Sequence, residues 1–335
     1  MARKLISAVA LILALLTATS VLASCGGLSS SKEEQETVLK IGDYSVPYEL
    51  YRYVALNFRK DLPDSSEEEL REKTLSALLD IYAVIAAAKE YSLTPDDDFF
   101  KEAADNASQL ARDEAGGKSE YKKKLAESFM NDSVYRFLSV KDVLSQELYY
   151  AMVNKGDIDD SAENLVSLFQ KGEIVCVKQI LITTEDSTTG GEVQYTPAET
   201  HTDDEAARIA ADVREKAIAG ESFDALVDEY GESFYMFRNT DGYYLCRGMW
   251  EDENENAVFA LGTGDISEVV KSDAGYSVFM RCEGSADYVK NNAGTIGENY
   301  GRGVYTVFVE KMRESLAVEK TERYEELKIK SLEMN

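Results

Sequence analysis

Ile174-Val175-Cys176-Val177-Lys178-Gln179-Ile180-Leu181-Ile182 is a β-branched apolar run bounded by polar residues, and its reading decides the fold. Such a run reads as a strand. Downstream, a polar loop leads to a helix from about Asp204 to Ala219, with Ala206, Ile209, Ala210, Val213 and Ala217 at helical spacing. Gly220-Glu221-Ser222-Phe223 then opens a short helix holding Leu226, Val227 and Tyr230, and Gly242-Tyr243-Tyr244-Leu245 reads as a second strand. Asn256 to Leu261 forms a short helix stopped by Gly262; Glu268-Val269-Val270 and Tyr276 to Met280 read as the last two strands. The order β-α-α-β-α-β-β describes a small α+β domain.

On the other side of the run the period changes. Val38 to Ile41 with Gly42-Asp43 suggests a strand and turn, and Ser45 is placed to cap a helix carrying Leu50, Tyr51, Val54 and Phe58. Ser65 and Glu68 have capping-box spacing ahead of Leu75, Leu78, Leu79, Tyr82 and Ile85. Thr94-Pro95-Asp96-Asp97 starts another helix with Pro at its first position, and Gly116-Gly117 breaks it. A later helix presents Val134, Phe137, Leu138, Leu144, Leu148 and Met152. From about Asn299 the chain is helical again, with Val304, Phe308, Met312 and Leu316 on one side. The expected organisation is a helical module from 38 to 171, an α/β domain from 172 to 284, and a C-terminal helical segment, 285 to 335, packing back on the first module. The fold class is α+β, with a four-stranded antiparallel sheet inserted into a helical module.

The chain has 335 residues with 36 basic and 62 acidic side chains, a formal charge of −26. That balance opposes nucleic acid and anionic membrane surfaces, and no basic patch offsets it. A single His and four Cys remove metal sites, cofactor sites and His-dependent catalysis from the leading schemes. Arg3 and Lys4 precede an apolar run, Leu5 to Ala23, that ends in Leu22-Ala23-Ser24-Cys25. This looks like a bacterial lipobox: a signal peptide over 1–24, lipid on Cys25, and a small polar tether over 25–37. An uncleaved anchor is the alternative. Cleavage would remove Arg3 and Lys4 and leave the mature body more acidic still, tied by its lipid to the extracytoplasmic face of a bacterial cell membrane.

The α/β stretch resembles the parvulin family of peptidyl-prolyl isomerases. The resemblance rests, in order, on Lys178-Gln179-Ile180-Leu181, Ala217 to Leu226, Asp241-Gly242-Tyr243-Tyr244, Arg247-Gly248-Met249, Ala257 to Leu261, Gly264-Asp265-Ile266-Ser267 and Gly275-Tyr276. With the lipobox and the flanking helices, the whole looks like the PrsA and SurA group of secretion foldases. The resemblance implies binding of unfolded or proline-containing exported polypeptides, with no cofactor. It also implies a pocket of Leu181, Met249, Trp250 and Cys246, and a core role for Phe259.

The departures bear on activity. Active parvulins carry a His on the first strand and another after Gly-Tyr on the last; here those degenerate catalytic positions hold Gln179 and Ser277. The aromatic usual after Met249 falls within Glu251 to Glu255, where none is present. Gln179 and Ser277 can each donate and accept, so a hydrogen bond between them is expected, but no titrating imidazole. They read either as a weak or inactive site or as a satisfied polar pair that binds nothing.

The acidic loop from Thr183 to Asp204 argues against phosphopeptide selectivity, and His201 within it is expected to be exposed. Cys176 and Cys282 fall on the strand faces opposite Gln179 and Ser277; a bridge is conceivable, buried free thiols the alternative. Cys246 has no His to activate it. Three functions follow: a lipid-anchored foldase or holdase with a weak isomerase domain, an active isomerase, or a solute-binding lipoprotein, which would need two similar α/β lobes.

Overall fold

The computed structural model describes residues 36–184, 201–233, 236, 239 and 241–333. The signal peptide, Cys25, nearly all of the tether and most of the acidic loop lie outside the described residues. The chain divides into two compact units, one ending at Asp157 and resuming at Phe308, the other running from Ile158 to Val307.

The first unit opens on β1 (Thr37–Ile41), which turns through Gly42 at φ +55° into antiparallel β2 (Tyr44–Pro47). Ser45 is part of β2, paired with Lys40, so it does not cap the following helix. That helix, α1 (Tyr48–Asp61), starts after Pro47 without a side-chain cap. The next, α2 (Glu67–Lys89), is capped by Ser66, whose hydroxyl accepts from Glu69 N at 3.1 Å. Of two adjacent serines the second does the capping, one residue later than the spacing of Ser65 and Glu68 suggests. Pro95 lies in a turn ahead of α3 (Asp98–Glu114), because the Asp97 carboxylate reaches back to Thr94 N and Oγ1 at 3.1 and 3.0 Å. Gly116 and Gly117, both at positive φ, part α3 from α4 (Lys118–Glu127). In α5 (Asp132–Lys155), Val134, Phe137, Leu144, Leu148 and Met152 form the buried stripe.

A partly buried carboxylate ties α3, α4 and α5 together. Asp132 Oδ1 accepts from Ser108 Oγ at 2.8 Å, from Tyr121 Oη at 2.9 Å and from the Arg112 guanidinium at 2.9 Å. Burial pushes its carboxyl up, yet these three donors outweigh burial and hold it below the usual carboxylate range.

The last segment of the chain returns to the first. β7 (Val318–Lys320) pairs with β1, giving strand order β2-β1-β7. Beyond it, the Arg59 guanidinium donates to the carbonyls of Ile329 and Leu332 at 2.9 and 2.8 Å. The Glu67 carboxylate accepts from Ile329 N at 2.7 Å and Lys330 N at 3.0 Å.

The second unit begins with α6 (Ala162–Lys171), closed by Gly172 in the left-handed region, and enters β3 (Ile174–Ile182). Then follow α7 (Asp203–Ile218), α8 (Phe223–Tyr230), β4 (Tyr243–Cys246), α9 (Asp252–Ala260), β5 (Val270–Ser272) and β6 (Gly275–Cys282). α10 (Ala286–Asn291) and α11 (Ala293–Ser315) come next, α11 passing out of this unit at Val307. The strands form one antiparallel sheet in the order β4-β3-β6-β5. The α+β reading holds, and the sheet is the one the nine-residue run announces.

Alternation divides the side chains of β3 between the two faces of the sheet. Ile180 and Ile182 pack under α7 and α8 with Ala206, Ala210, Val213, Leu226 and Val278. Ile174 and Cys176, on the same face, meet Leu165, Leu168, Tyr244, Val289 and Ile296. On the other face Val175 and Val177 pack with Leu245, Val258 and Phe279. Fully burying each such aliphatic side chain is worth about 1.5–3 kcal/mol. Gly275, at φ +121°, lets the β5–β6 turn close on β3: a Cβ there would stand 2.3 Å from Ile182 O.

Candidate functional site

Gln179 shares the Val175–Val177 face of β3, and register fixes its neighbours: Phe279 stands opposite Gln179, and Ser277 opposite Leu181. Gln179 and Ser277 are therefore diagonal across adjacent strands, within reach of a long side chain. Gln179 Nε2 donates to Ser277 Oγ at 3.0 Å. A third residue completes the chain: Ser233 Oγ donates to Gln179 Oε1 at 2.9 Å. Gln179 is 7% exposed, Ser233 6% and Ser277 0%, so the trio is closed to solvent. Gln179 N donates to Met236 Sδ at 3.1 Å, which covers the strand from the same loop.

Ser233 carries no motif, which is why the sequence reading passes over it. Its position is set by the residue before it. Glu232 N donates to Leu181 O at 3.0 Å, and the Glu232 carboxylate accepts from Thr183 N and Oγ1, both at 2.6 Å. His201, expected to be exposed, joins this knot. Its Nε2 lies 3.2 Å from Glu232 Oε1, its side chain is only 17% exposed, and it bridges to Thr184. The backbone pairing at Thr184 draws it in, an interaction with no local sequence signal.

The apolar wall is built on the loop after β4. The Trp250 ring stacks on Tyr243 at 5.7 Å and on Phe279, Gln179's register partner, at 5.7 Å. Met249 packs against both cores flanking β4. Glu255 holds this loop: one carboxylate oxygen accepts from Met249 N and Trp250 N at 2.8 and 3.0 Å, the other from Gly248 N at 3.0 Å. Sequence reading sees Glu255 as one acid among several; its burial singles it out. Where the family's aromatic was sought, Asn254 is buried and its Oδ1 has no hydrogen-bond partner. Val258, one turn on, is the buried apolar residue of α9; Phe259 is half-buried, packed against the same core with the Arg247 guanidinium 4.0 Å from its ring, rather than fully inside it as expected.

Cys246 does not join the wall. β4 alternates, so Leu245 shares the Gln179 face while Cys246 turns to the opposite one with Ile174 and Cys176. Burial pushes its thiol up to about 12, far from a nucleophile's range.

Gln179, Ser277, Ser233, Leu181, Met249 and Trp250 thus stand on or beside one sheet face, with Cys246 behind it. This is a neutral polar floor next to an apolar wall, with neither acid nor base on it. Prolyl isomerisation makes no covalent intermediate; its barrier of about 20 kcal/mol reflects amide resonance. A pocket lowers that barrier by holding the ring and favouring the twisted amide.

This arrangement is that of a parvulin-type domain, and the comparisons agree: residues 180–283 match the family described as Rotamase, PPIC-type PPIASE domain. The chain is also similar, over a short stretch, to a protein described as a foldase. It is 29% identical over 82 residues to the foldase protein PrsA of Bacillus subtilis (strain 168), a stretch covering 24% of this chain and 28% of that protein. Similar solved structures include PrsA from Bacillus anthracis, at 18% identity and TM-score 0.36, covering 71% of this chain and 94% of that one. PrsA from Streptococcus pneumoniae is similar at 16% identity and TM-score 0.32, covering 77% and 88%. No helix among the described residues is long and apolar enough to cross a membrane.

Proposed function

We propose that this is a lipid-anchored, extracytoplasmic foldase that holds unfolded, proline-containing exported polypeptides, with a parvulin-type domain that grips and turns over weakly or not at all. The observation that carries the reading is the closed chain Ser233–Gln179–Ser277. Each of its members is already hydrogen-bonded, and Ser277 has no exposed surface to offer a substrate. A holding role draws support from the helical unit. There a cleft of about 520 Å³ is lined by Phe58, Ile81, Val84 and Val309, with Lys73 and Lys141 beside them.

In a protease-coupled assay on a proline peptide, the full chain is expected to raise the uncatalysed rate little or not at all, yet to suppress aggregation of a denatured client. Phe58→Ser with Val309→Ser is expected to lose that suppression. Failure of the full chain to protect any client ends the holdase reading. The retained wall of Leu181, Met249 and Trp250 favours the second reading, an active isomerase, and turnover that disappears in Met249→Ala would establish it. A solute-binding role needs two similar lobes, and the two compact units are unlike. The anchor is tested apart from these: fatty-acid labelling of cells should mark the protein and miss Cys25→Ser.

A further inference from the structure

The sheet face turned away from Gln179 carries a pair of groups that neither grip nor turnover uses. Cys176 and Cys282 are direct partners in the antiparallel β3–β6 ladder. Directly opposed residues in such a ladder have Cα atoms about 4.5–5.5 Å apart, inside the range of about 4.4–6.8 Å that a disulfide spans. Their side chains leave the sheet on the same side and meet over Gly242. A Cβ at Gly242 would stand 2.6 Å from Cys176 Sγ and 3.6 Å from Cys282 Sγ, and the residue's φ of +109° also calls for glycine. Both sulfurs are free thiols.

Their surroundings are unequal. Cys176 is 2% exposed, whereas Cys282, at the end of β6, is only half-buried. A hydrogen bond between the two sulfurs, followed by burial, raises the Cys176 thiol; the same bond, aided by Lys178, holds Cys282 below its ordinary value. An accessible, more acidic thiol beside a buried one is the division of labour between attacking and resolving cysteines.

We propose that Cys176 and Cys282 are an oxidisable dithiol, Cys282 attacking and Cys176 resolving, that closes a cross-strand disulfide by exchange with a low-molecular-weight disulfide. The Cys282 thiolate attacks one sulfur of the disulfide, forming a mixed disulfide and expelling a thiolate that takes up the Cys282 proton. Cys176 then loses its proton and attacks the Cys282 sulfur, expelling the second thiolate, which takes up that proton. Two protein thiols are oxidised and one disulfide is reduced to two thiols. The bond links the two strands that carry Gln179 and Ser277, and it is independent of whether the domain isomerises proline.

The test treats the full chain with oxidised glutathione, followed by peptide mapping that reads Cys176 and Cys282 apart from Cys25 and Cys246. In the native sequence the Cys176 and Cys282 peptides should appear joined. Cys176→Ser should accumulate glutathione on Cys282, and Cys282→Ser should leave Cys176 unmodified. A native chain that keeps glutathione on Cys282 without the cross-link, or whose two thiols both stay free, overturns the proposal. So does Cys282→Ser reacting at Cys176 as fast as the native chain cross-links.

Discussion

Among the described residues, two polar clusters are built on opposite plans. In the helical unit, three donors from Ser108, Arg112 and Tyr121 converge on one charged oxygen of Asp132. In the sheet unit, Ser233, Gln179 and Ser277 are neutral and joined in series. The first plan fixes helices by a charge on which three donors depend; the second links its members one bond at a time and contains nothing that titrates. A convergent, charged cluster stabilises strongly and answers to pH, while a neutral series stabilises modestly and is indifferent to it. Imidazoles at these two positions would make a titrating floor; Gln179 and Ser277 make a constant one.

The sharpest way to break the comparison is at Asp132. Asp132→Ala is expected to cost about 3 kcal/mol, because it strands the partly buried Arg112 guanidinium and two hydroxyls. Asp132→Asn keeps the shape and should cost less. The folded carboxyl lies below its unfolded value, so its contribution is present above the unfolded pKa of about 3.9 and fades as pH falls through the folded one. Denaturant titrations at several pH values should therefore show the gap between native and Asp132→Asn narrowing below about pH 4. A gap that stays constant down to pH 2 would remove the charge from the explanation.

Next in size is Gln179→Ala, which leaves Ser277 without its donor and Ser233 without its acceptor. The expected loss is about 2 kcal/mol, the same at pH 4 and pH 8. Replacing all three together, Ser233→Ala, Gln179→Leu and Ser277→Ala, should recover most of it, since no polar group is then left unpaired. If the triple variant is less stable than Gln179→Ala, the hydrogen-bonded chain is a structural requirement rather than a replaceable floor.

How much of this was legible depends on how far each contact reaches. β3 announces itself because nine residues supply enough apolar, β-branched character to be read locally, and α5 because its stripe repeats over many turns. β7 could not be read: all three of its residues are exposed, and only the return of the chain to β1 makes it a strand. Gln179 and Ser277 were found through the family pattern, and alternation placed the cysteines opposite them. Ser233 was missed because its loop is positioned by Glu232 against Leu181 and Thr183, some fifty residues earlier in the chain. Cys246 reads as a wall residue because it adjoins the loop after β4, yet one step along β4 changes the face.

The smallest effect tests the series itself. Ser233 sits at its end and gives one hydrogen bond, to an acceptor that remains a carbonyl with its neighbour's geometry intact. Ser233→Ala should cost about 1 kcal/mol and leave the Gln179–Ser277 bond in place, so the two substitutions should be less than additive with Gln179→Ala. The coupling energy from that double-mutant cycle is expected near the cost of Ser233→Ala alone, because once Gln179 is gone the Ser233 hydroxyl has no partner left to lose. Full additivity would mean that Ser233 acts through another neighbour, and the site would then be a pair rather than a chain.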